Sequence, residues 1–248
     1  MPDRSEEPRH VLVVVAHPDD ESFGCGSVIA DAVARGHRVQ VCCATLGEEG
    51  ELSPGFDLAG RTLAETRHDE LRAAAAVLGA EVVEPLGLRD SGWDGSPPDG
   101  SLYALDAHEL AARLTDVLLA HRPDVVITLA GDDGHRDHGR LADAVTAAFG
   151  QAAFEAARLY LWCLPNDLMK RWAAEMASLR PDTAHLALEI AELGTSPDDI
   201  TTVLDTSAHL ATRWRAIAAH ASQTSPYDGL SPELAEAFLS TDHLIRLA

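Results

Sequence analysis

The chain has 248 residues, and its 19 basic against 40 acidic side chains give a formal net charge of −21. This excess of acid argues against nucleic-acid binding, which needs clustered basic residues, and against docking on an anionic membrane surface. The length suffices for one sizeable α/β core, and 46% of the residues are hydrophobic. We therefore expect a single domain over residues 1–248.

Neither targeting signals nor disulfide bonds are expected. The opening residues MPDRSEEPRH are polar and acidic, unlike a signal peptide, and apolar runs such as Val11–Ala16 are too short to span a bilayer. The four cysteines show no CxxC spacing, which argues against a disulfide scaffold or a cysteine zinc site. Reduced, buried thiols in a cytoplasmic protein are the expectation.

Buried strands and amphipathic helices alternate along the first two thirds of the chain. The predicted elements are strand His10–Ala16, helix Ser27–Gly36, strand Arg38–Leu46, helix Thr62–Ala80, a short strand over 81–88, helix Leu105–Pro123, strand Asp124–Ala130, a helix from about Arg140 to Ala157 and a strand near Arg158–Leu164. This alternation predicts a Rossmann-like α/β fold, an open and mostly parallel sheet with helices on both faces.

The last third is less regular and is expected to form an extension on the same sheet. A strand is predicted over Ile200–Thr206 and a helix over Ser207–Ser222, with no linker separating them from the rest. Two loops, Gly47–Gly60 and Gly87–Tyr103, are long for a compact domain. Loops of that length are typically functional or disordered.

Two His/Asp motifs follow predicted strands at the same sheet edge. AHPDDE (Ala16–Glu21) comes directly after the first strand, and GHRDH (Gly134–His138) comes just beyond the fourth. In the strand order 3-2-1-4, strands one and four are neighbours at the switch point where a crevice opens. The two motifs should therefore meet in one pocket.

The composition of these motifs suits a metal ion. His17 and Asp20 can aim an imidazole and a carboxylate at one point from a tight turn, and His138 can supply a third ligand. Two histidines and one carboxylate leave a coordination position open, as in catalytic zinc sites.

The remaining motif residues suit hydrolysis. Asp19 is placed to take a proton from metal-bound water, and His135 to donate to a developing oxyanion. Asp137, between His135 and His138, can fix the tautomer or raise the pKa of one of them. Each motif alone is also compatible with an ordinary turn or helix cap, an alternative weakened by the position of both after the expected strands.

Together the motifs resemble the PIG-L/LmbE-like family of zinc-dependent N-acetylglucosaminyl deacetylases. Four further segments are similar to the family pattern: Thr45–Glu51 (TLGEEGE), Arg67 with Glu70, Arg89–Gly92 (RDSG) and His220–Gln223 (HASQ). Within the family the motifs are closest to actinobacterial deacetylases of mycothiol biosynthesis. The segment from Leu164 to Pro197 has no obvious counterpart, which leaves the far end of the pocket undefined.

The resemblance implies a role for each matching position. It implies zinc ligands at His17, Asp20 and His138, a general base at Asp19, an oxyanion-stabilising group at His135 supported by Asp137, and sugar contacts at Glu51, Arg67 and Asp90. Arg67 and Glu70 are equally compatible with a solvated helix face. Glu48 and Glu49 are interpreted as loop solvation, and Trp93 as a loop anchor rather than a sugar-stacking platform. The other histidines, including His185, are left unassigned.

The expected function is zinc-dependent removal of an N-acetyl group from an N-acetylglucosamine-type sugar conjugate, a small-molecule substrate. The same machinery would suit an antibiotic glycoside, a thiol conjugate or another secondary-metabolite precursor, and Fe²⁺ in place of Zn²⁺. A non-catalytic nucleotide- or metal-binding module is the alternative of a different class. No GxGxxG follows the first strand, however, since Gly24–Ser27 (GCGS) is too short a match. The oligomeric state, a homo-oligomer included, stays open.

Overall fold

Seven strands form one sheet in the computed structural model, which describes residues 7–154, 156–182, 184–188 and 193–248. The strands are β1 His10–Val15, β2 Arg38–Cys43, β3 Glu81–Val82, β4 Val125–Leu129, β5 Arg158–Cys163, β6 Thr202–Asp205 and β7 Thr241–Arg246. The helices are α1 Asp20–Phe23, α2 Gly26–Ala34, α3 Leu63–Leu78, α4 Ala107–His121, α5 Arg136–Ala152, α6 Asn166–Leu179, α7 Leu210–Ala219 and α8 Pro232–Leu239.

The strand order is β3-β2-β1-β4-β5-β7-β6, so the predicted Rossmann-like α/β sheet with β1 beside β4 is confirmed. The first five strands run parallel, whereas β7 is antiparallel to both β5 and β6. Alternate residues of β1 enter two separate apolar cores, Val13 on the side of α2 and α3, and Leu12 on the side of α4 and α5. The central strand is therefore buried on both faces, as its continuous apolar sequence predicts.

Several predicted boundaries differ from the structure, among them the end of α5, which lies at Ala152 and not near Ala157. The third strand spans only Glu81–Val82, because Pro85 lacks a backbone N–H and Gly87 adopts a positive φ of 68° soon afterwards. Helix α5 begins at Arg136, four residues before the predicted start at Arg140, because His135 caps its first turn. The earlier start places Asp137 and His138 on the helix instead of in a loop.

The C-terminal extension joins the same sheet, as predicted, but holds more regular structure than the sequence pattern indicates. The helices α6 and α8 and the antiparallel strand β7 were not predicted, and α7 ends at Ala219, three residues before the predicted boundary. None of the helices in the described ranges combines the length and hydropathy that a membrane crossing requires.

Candidate metal centre and active site

The turn after β1 carries three of the predicted site residues. Strand β1 ends at Val15, and α1 begins at Asp20. The Asp20 carboxylate accepts the backbone N–H groups of Ala16 and His17 through Oδ2, over 3.1 and 2.8 Å. These hydrogen bonds fix the carboxylate beside the His17 ring, whose Nδ1 lies 3.7 Å from Asp20 Oδ2.

The second motif forms the start of α5. His135 is the N-cap residue, and its Nδ1 accepts the backbone N–H of Asp137 over 3.2 Å. His138 therefore lies in the first helical turn, and its Nδ1 is 2.6 Å from Asp133 Oδ2. Because Nδ1–H donates to that carboxylate, Nε2 is the nitrogen of His138 that is available to a metal ion.

Side-chain atoms of the three predicted ligands lie close together. His17 Nδ1 is 3.3 Å from His138 Nε2, and Asp20 Oδ1 is 3.2 Å from His138 Nε2. In a tetrahedral zinc site with bonds of about 2.0–2.1 Å, ligand atoms are about 3.4 Å apart. The spacing of these side chains therefore fits a divalent ion of that size.

Electrostatics also favours a cation between these groups. Burial lowers the pKa of His17, but the Asp137 and Asp90 carboxylates outweigh it and raise the pKa to about 10. Burial also lowers the pKa of His138, but Asp133 and Asp20 outweigh this effect and raise the pKa well above its ordinary value. Each ring gives one nitrogen to a carboxylate and turns the other inward, as in carboxylate–histidine–metal sites.

Two other combinations of side chains come close enough to share an ion. They are His17 with His135 and His138, and His17 with Asp90 and Asp137. The second combination uses His17 Nε2, which already faces two carboxylates. We favour the set with Asp20, whose Oδ2 lies 3.7 Å from His17 Nδ1 and whose Oδ1 lies 3.2 Å from His138 Nε2.

Asp137 and Asp90 both support His17. Asp137 Oδ2 and Asp90 Oδ1 lie 3.3 and 3.4 Å from His17 Nε2. The backbone N–H of Asp137 donates to His135 Nδ1 and so sets the tautomer of that ring, one of the roles expected of Asp137. The Asp137 carboxylate also accepts the N–H of Ser91 over 3.0 Å.

Asp90 is committed to the protein itself, in contrast to its expected contact with a sugar. Its Oδ1 accepts the N–H of Gly92 over 2.9 Å, and its Oδ2 that of Glu49 over 3.3 Å. Burial raises the pKa of this carboxyl, but the His17 imidazole outweighs that effect and holds the pKa well below its ordinary value. Asp90 therefore orients His17 and joins two loops.

His135 is a neutral donor in this structure. Because Nδ1 accepts the N–H of Asp137, the ring proton is on Nε2. Burial, followed by the neighbouring His17 and His138, lowers the pKa of His135 to about 3. The ring centroid lies 4.7 Å from that of His17, so the His135 ring belongs to the same pocket.

Asp19 adopts a backbone conformation that is rare for a residue with a side chain. Its φ is 116° and its ψ −32°. The carboxylate accepts a hydrogen bond from Arg67 Nη2 over 2.8 Å, with 15% of the side chain exposed. Burial raises the pKa of Asp19 to about 6, although the Arg67 guanidinium opposes the shift.

Arg67 and Glu70 are buried, so the alternative of a solvated helix face is wrong. Arg67 donates to the carbonyl oxygens of Gly47 and Pro18, over 2.8 and 2.5 Å, besides its bond to Asp19. With these partners, Arg67 holds three chain segments together, and no sugar is needed to satisfy its Nη groups. Glu70 accepts the backbone N–H of Ser222 over 2.8 Å.

The glutamates of the acidic loop after β2 differ in their contacts. Glu48 Oε2 accepts the N–H of Asp90 over 3.0 Å, which makes Glu48 a structural residue and not a solvated one. Glu49 is exposed and pairs with Arg89 over 3.3 Å. Glu51, the third predicted sugar contact, is exposed, so its carboxylate is accessible to a ligand.

Trp93, interpreted from sequence as a loop anchor, and His185, which was left unassigned, lie beside the pocket. The Trp93 ring lies 5.3 Å from that of His135 and 4.4 Å from that of His185. Arg136 anchors the Trp93 loop by donating to the carbonyl oxygens of Ser91, Gly92, Asp94 and Gly95. His185 is not part of a sequence motif, so its position beside Trp93 could not be predicted from the sequence.

The comparison with protein families supports the motif assignment. The family model described as GlcNAc-PI de-N-acetylase, PIG-L, matches residues 12–149. The chain belongs to this family. The match covers both motifs and more than half of the chain.

Comparison with a single relative also points to a deacetylase. The 1D-myo-inositol 2-acetamido-2-deoxy-alpha-D-glucopyranoside deacetylase of Thermobifida fusca is 36% identical, over 88% of this chain and 84% of the relative. With the family match, this relationship confirms the predicted amide-hydrolysing deacetylase. The substrate in that name is a property of the relative.

Two solved structures show the same fold at low identity. The N,N'-diacetylchitobiose deacetylase from Pyrococcus horikoshii is 18% identical with a TM-score of 0.65, over 97% of this chain and 84% of that one. The 4-carboxy-2-hydroxymuconate hydratase GalB from Pseudomonas putida KT2440 is 19% identical with a TM-score of 0.61, over 97% and 96%. Because a hydratase shares this fold, the fold alone does not select the reaction.

Proposed function

We propose that this PIG-L family member hydrolyses the N-acetyl group of an N-acetylglucosamine conjugate with a divalent metal held by His17, Asp20 and His138. The observation that carries the proposal is the close approach of these three side chains, with ligand atoms 3.2–3.7 Å apart, beside the partly buried carboxylate of Asp19. Nitrogen and carboxylate ligands in this number suit zinc first and Fe²⁺ second. When bound, such a metal polarises the amide carbonyl and lowers the pKa of water.

Asp19 is the proposed general base. Its Oδ2 is held by Arg67, which leaves Oδ1 to accept a proton from the attacking water. The hydroxide adds to the acetyl carbon, the C–N bond breaks, and the proton passes from Asp19 to the departing nitrogen. The products are acetate and a free amino sugar, so water is divided between them and no other reactant is required.

His135 is the proposed electrophilic group. Its Nε2–H donates to the oxygen that becomes negative when the carbonyl carbon is attacked. A neutral imidazole serves this purpose, because a hydrogen bond to the developing charge needs a proton but no formal positive charge. Loss of one such donor typically lowers kcat by about 10²–10³.

We propose that the first substrate to test is N-acetylglucosamine linked to inositol. Support comes from the curated relative, whose printed name describes that compound. Glu51 is the one predicted sugar contact with an exposed carboxylate, and it suits a hydrogen bond to a sugar hydroxyl. We place the reaction in the cytoplasm, which suits four unpaired, buried cysteines.

The proposal is tested by acetate release from a panel of conjugates. The panel holds the inositol-linked sugar, N,N'-diacetylchitobiose and an acylated glycopeptide antibiotic. We expect acetate from the first, about one divalent ion per chain, and an Asp19→Asn variant that keeps its metal but loses at least about a hundredfold in kcat. Asp69→Asn, an exposed carboxylate of α3, is the control.

Near-native turnover by Asp19→Asn would remove Asp19 as the base. Acetate from the antibiotic alone would keep the chemistry and replace the substrate. Metal-loaded protein that releases no acetate from any member would refute the proposed function.

A further inference from the structure

Two residues of the motifs have no role in the proposed chemistry, although the structure joins them. Glu21 is the last residue of AHPDDE, and His220 is the first of HASQ. His220 Nε2 lies 2.6 Å from Glu21 Oε1, across 199 positions of sequence. Both side chains are buried, with 0% of Glu21 and 1% of His220 exposed.

Glu21 connects this pair to the backbone of Asp19. Its Oε2 accepts the N–H of Asp19 over 3.0 Å, while its Oε1 takes both His220 and the hydroxyl of Ser22 at 2.6 Å. The Glu21 carboxylate is thus held from one side by His220 and holds Asp19 from the other.

The conformation of Asp19 needs such support. A φ of 116° is unfavourable for a residue with a Cβ atom, and a strained backbone of this kind costs about 1–3 kcal/mol unless the surroundings impose it. The Asp19 carbonyl accepts the N–H groups of Ser22 and Phe23 over 2.8 and 2.7 Å. With the Glu21 bond to the Asp19 N–H, both peptide groups of Asp19 are restrained.

A second contact from α7 has a different target. Arg213 donates to the carbonyl oxygens of Ser22, Phe23 and Gly24, and so anchors the end of α1. That contact locates the turn as a whole. Of these two contacts, only the His220–Glu21 pair reaches the backbone N–H of Asp19.

We propose that His220 is a positioning residue, which acts through Glu21 to keep Asp19 in the conformation that aims its carboxylate at the reacting water. This inference rests on the proposed function, in which Asp19 is the base. The C-terminal extension then completes the active site without touching substrate. Without the pair, the Asp19 peptide relaxes to a negative φ, which turns the carboxylate away from Arg67.

The test compares His220→Ala and His220→Gln with Ser222→Ala. Ser222 is a matched control, because it is buried in the same turn and its hydroxyl donates to Glu70 over 2.6 Å. We expect His220→Ala to keep its metal and KM and to lose about 10- to 100-fold in kcat, the effect of a misplaced catalytic group. His220→Gln, which can still donate to Glu21, restores part of kcat, and Ser222→Ala keeps kcat within about twofold.

Hydrogen exchange supplies a readout independent of turnover. Peptides that cover residues 17–24 should exchange faster in His220→Ala than in Ser222→Ala. If His220→Ala does not fold, Glu21→Gln replaces it. Its single acceptor oxygen cannot serve both His220 and the Asp19 N–H, so the same pattern is expected.

A double mutant separates positioning from general damage. In an Asp19→Asn background, His220→Ala should cause no further loss of the residual rate, because there is no base to position. An equal loss in both backgrounds, a change in KM with unchanged kcat, or lost metal would overturn the inference. Native activity of Asp19→Asn alone would instead refute the proposed base.

Discussion

The guanidinium of Arg67 lies 2.8 Å from the carboxylate of Asp19, although the two residues are 48 positions apart. Helix α3 thereby supplies the only cation that contacts Asp19 among the described residues. The same guanidinium binds two backbone carbonyl oxygens, so its geometry is fixed on three sides. We therefore propose that Arg67 acts on the proposed base and not on the sugar.

Replacement of Arg67 by Lys should separate these two roles. One ammonium group cannot reproduce the planar arrangement that reaches Asp19 and both carbonyl oxygens. We expect Arg67→Lys to lower kcat by at least about tenfold with KM within about twofold, measured by steady-state acetate release. A raised KM with native kcat would return Arg67 to the sugar-contacting role.

Removal of a carboxylate that supports His17 should weaken metal binding. Asp137→Asn removes the charge that faces His17 Nε2 at 3.3 Å. Loss of a carboxylate of this kind typically weakens metal binding by about 10- to 100-fold. Competition with a chelator measures the change, and Asp143→Asn on the exposed side of α5 should leave affinity unchanged. Equal affinities for the two variants would argue against the assigned role of Asp137.

Arg136 should control the order of the Trp93 loop. Its guanidinium binds four carbonyl oxygens between Ser91 and Gly95, and a lysine cannot span them. We expect faster hydrogen exchange over residues 91–95 in Arg136→Lys. Arg140→Lys, one turn further along α5, loses a bond to Leu105 instead and serves as the control. Unchanged exchange in Arg136→Lys would show that the loop is held by other contacts.

Asp132 should make stability depend on pH. Burial, assisted by Asp133, raises its pKa to about 6 against hydrogen bonds from Thr195 and Leu164. Between the ordinary carboxyl pKa and about 6 the folded chain binds more protons than the unfolded one, so this group's contribution to stability falls as pH rises through that window.

Asp132→Asn removes this penalty and keeps an acceptor oxygen. Relative to the natural chain, the variant should gain up to about 2–3 kcal/mol at pH 7.5, and the gain should shrink toward pH 5. Urea denaturation at both pH values measures the difference. A gain that is independent of pH would show that Asp132 does not titrate in this range.

The position of the site could be predicted from sequence because it depends on local patterns. Buried strands read as continuous apolar runs, and parallel strands bring the residues after them to one edge. The meeting of His17 with His138 follows from these rules. The carboxylate partners of His17 could not be predicted in this way. The direction of the Asp137 side chain depends on the start of α5, which lies four residues earlier than predicted because His135 caps the helix.

The contacts of the C-terminal extension could not be predicted from the sequence for a related reason. The antiparallel strand β7 and the contact between His220 and Glu21 depend on the return path of the chain over 199 positions. No local periodicity encodes that path. The HASQ motif marked His220 as unusual, but only the structure shows that its partner is the residue beside the metal ligand Asp20 proposed here.

The most direct test of the account is metal titration of chelator-treated protein with the inositol-linked N-acetylglucosamine substrate. We predict that acetate release rises in proportion to added Zn²⁺ or Fe²⁺ until about one ion is bound per chain, and that His138→Ala abolishes both binding and activity. Full acetate release by metal-free protein, or tight binding of the ion by His138→Ala, would contradict the account.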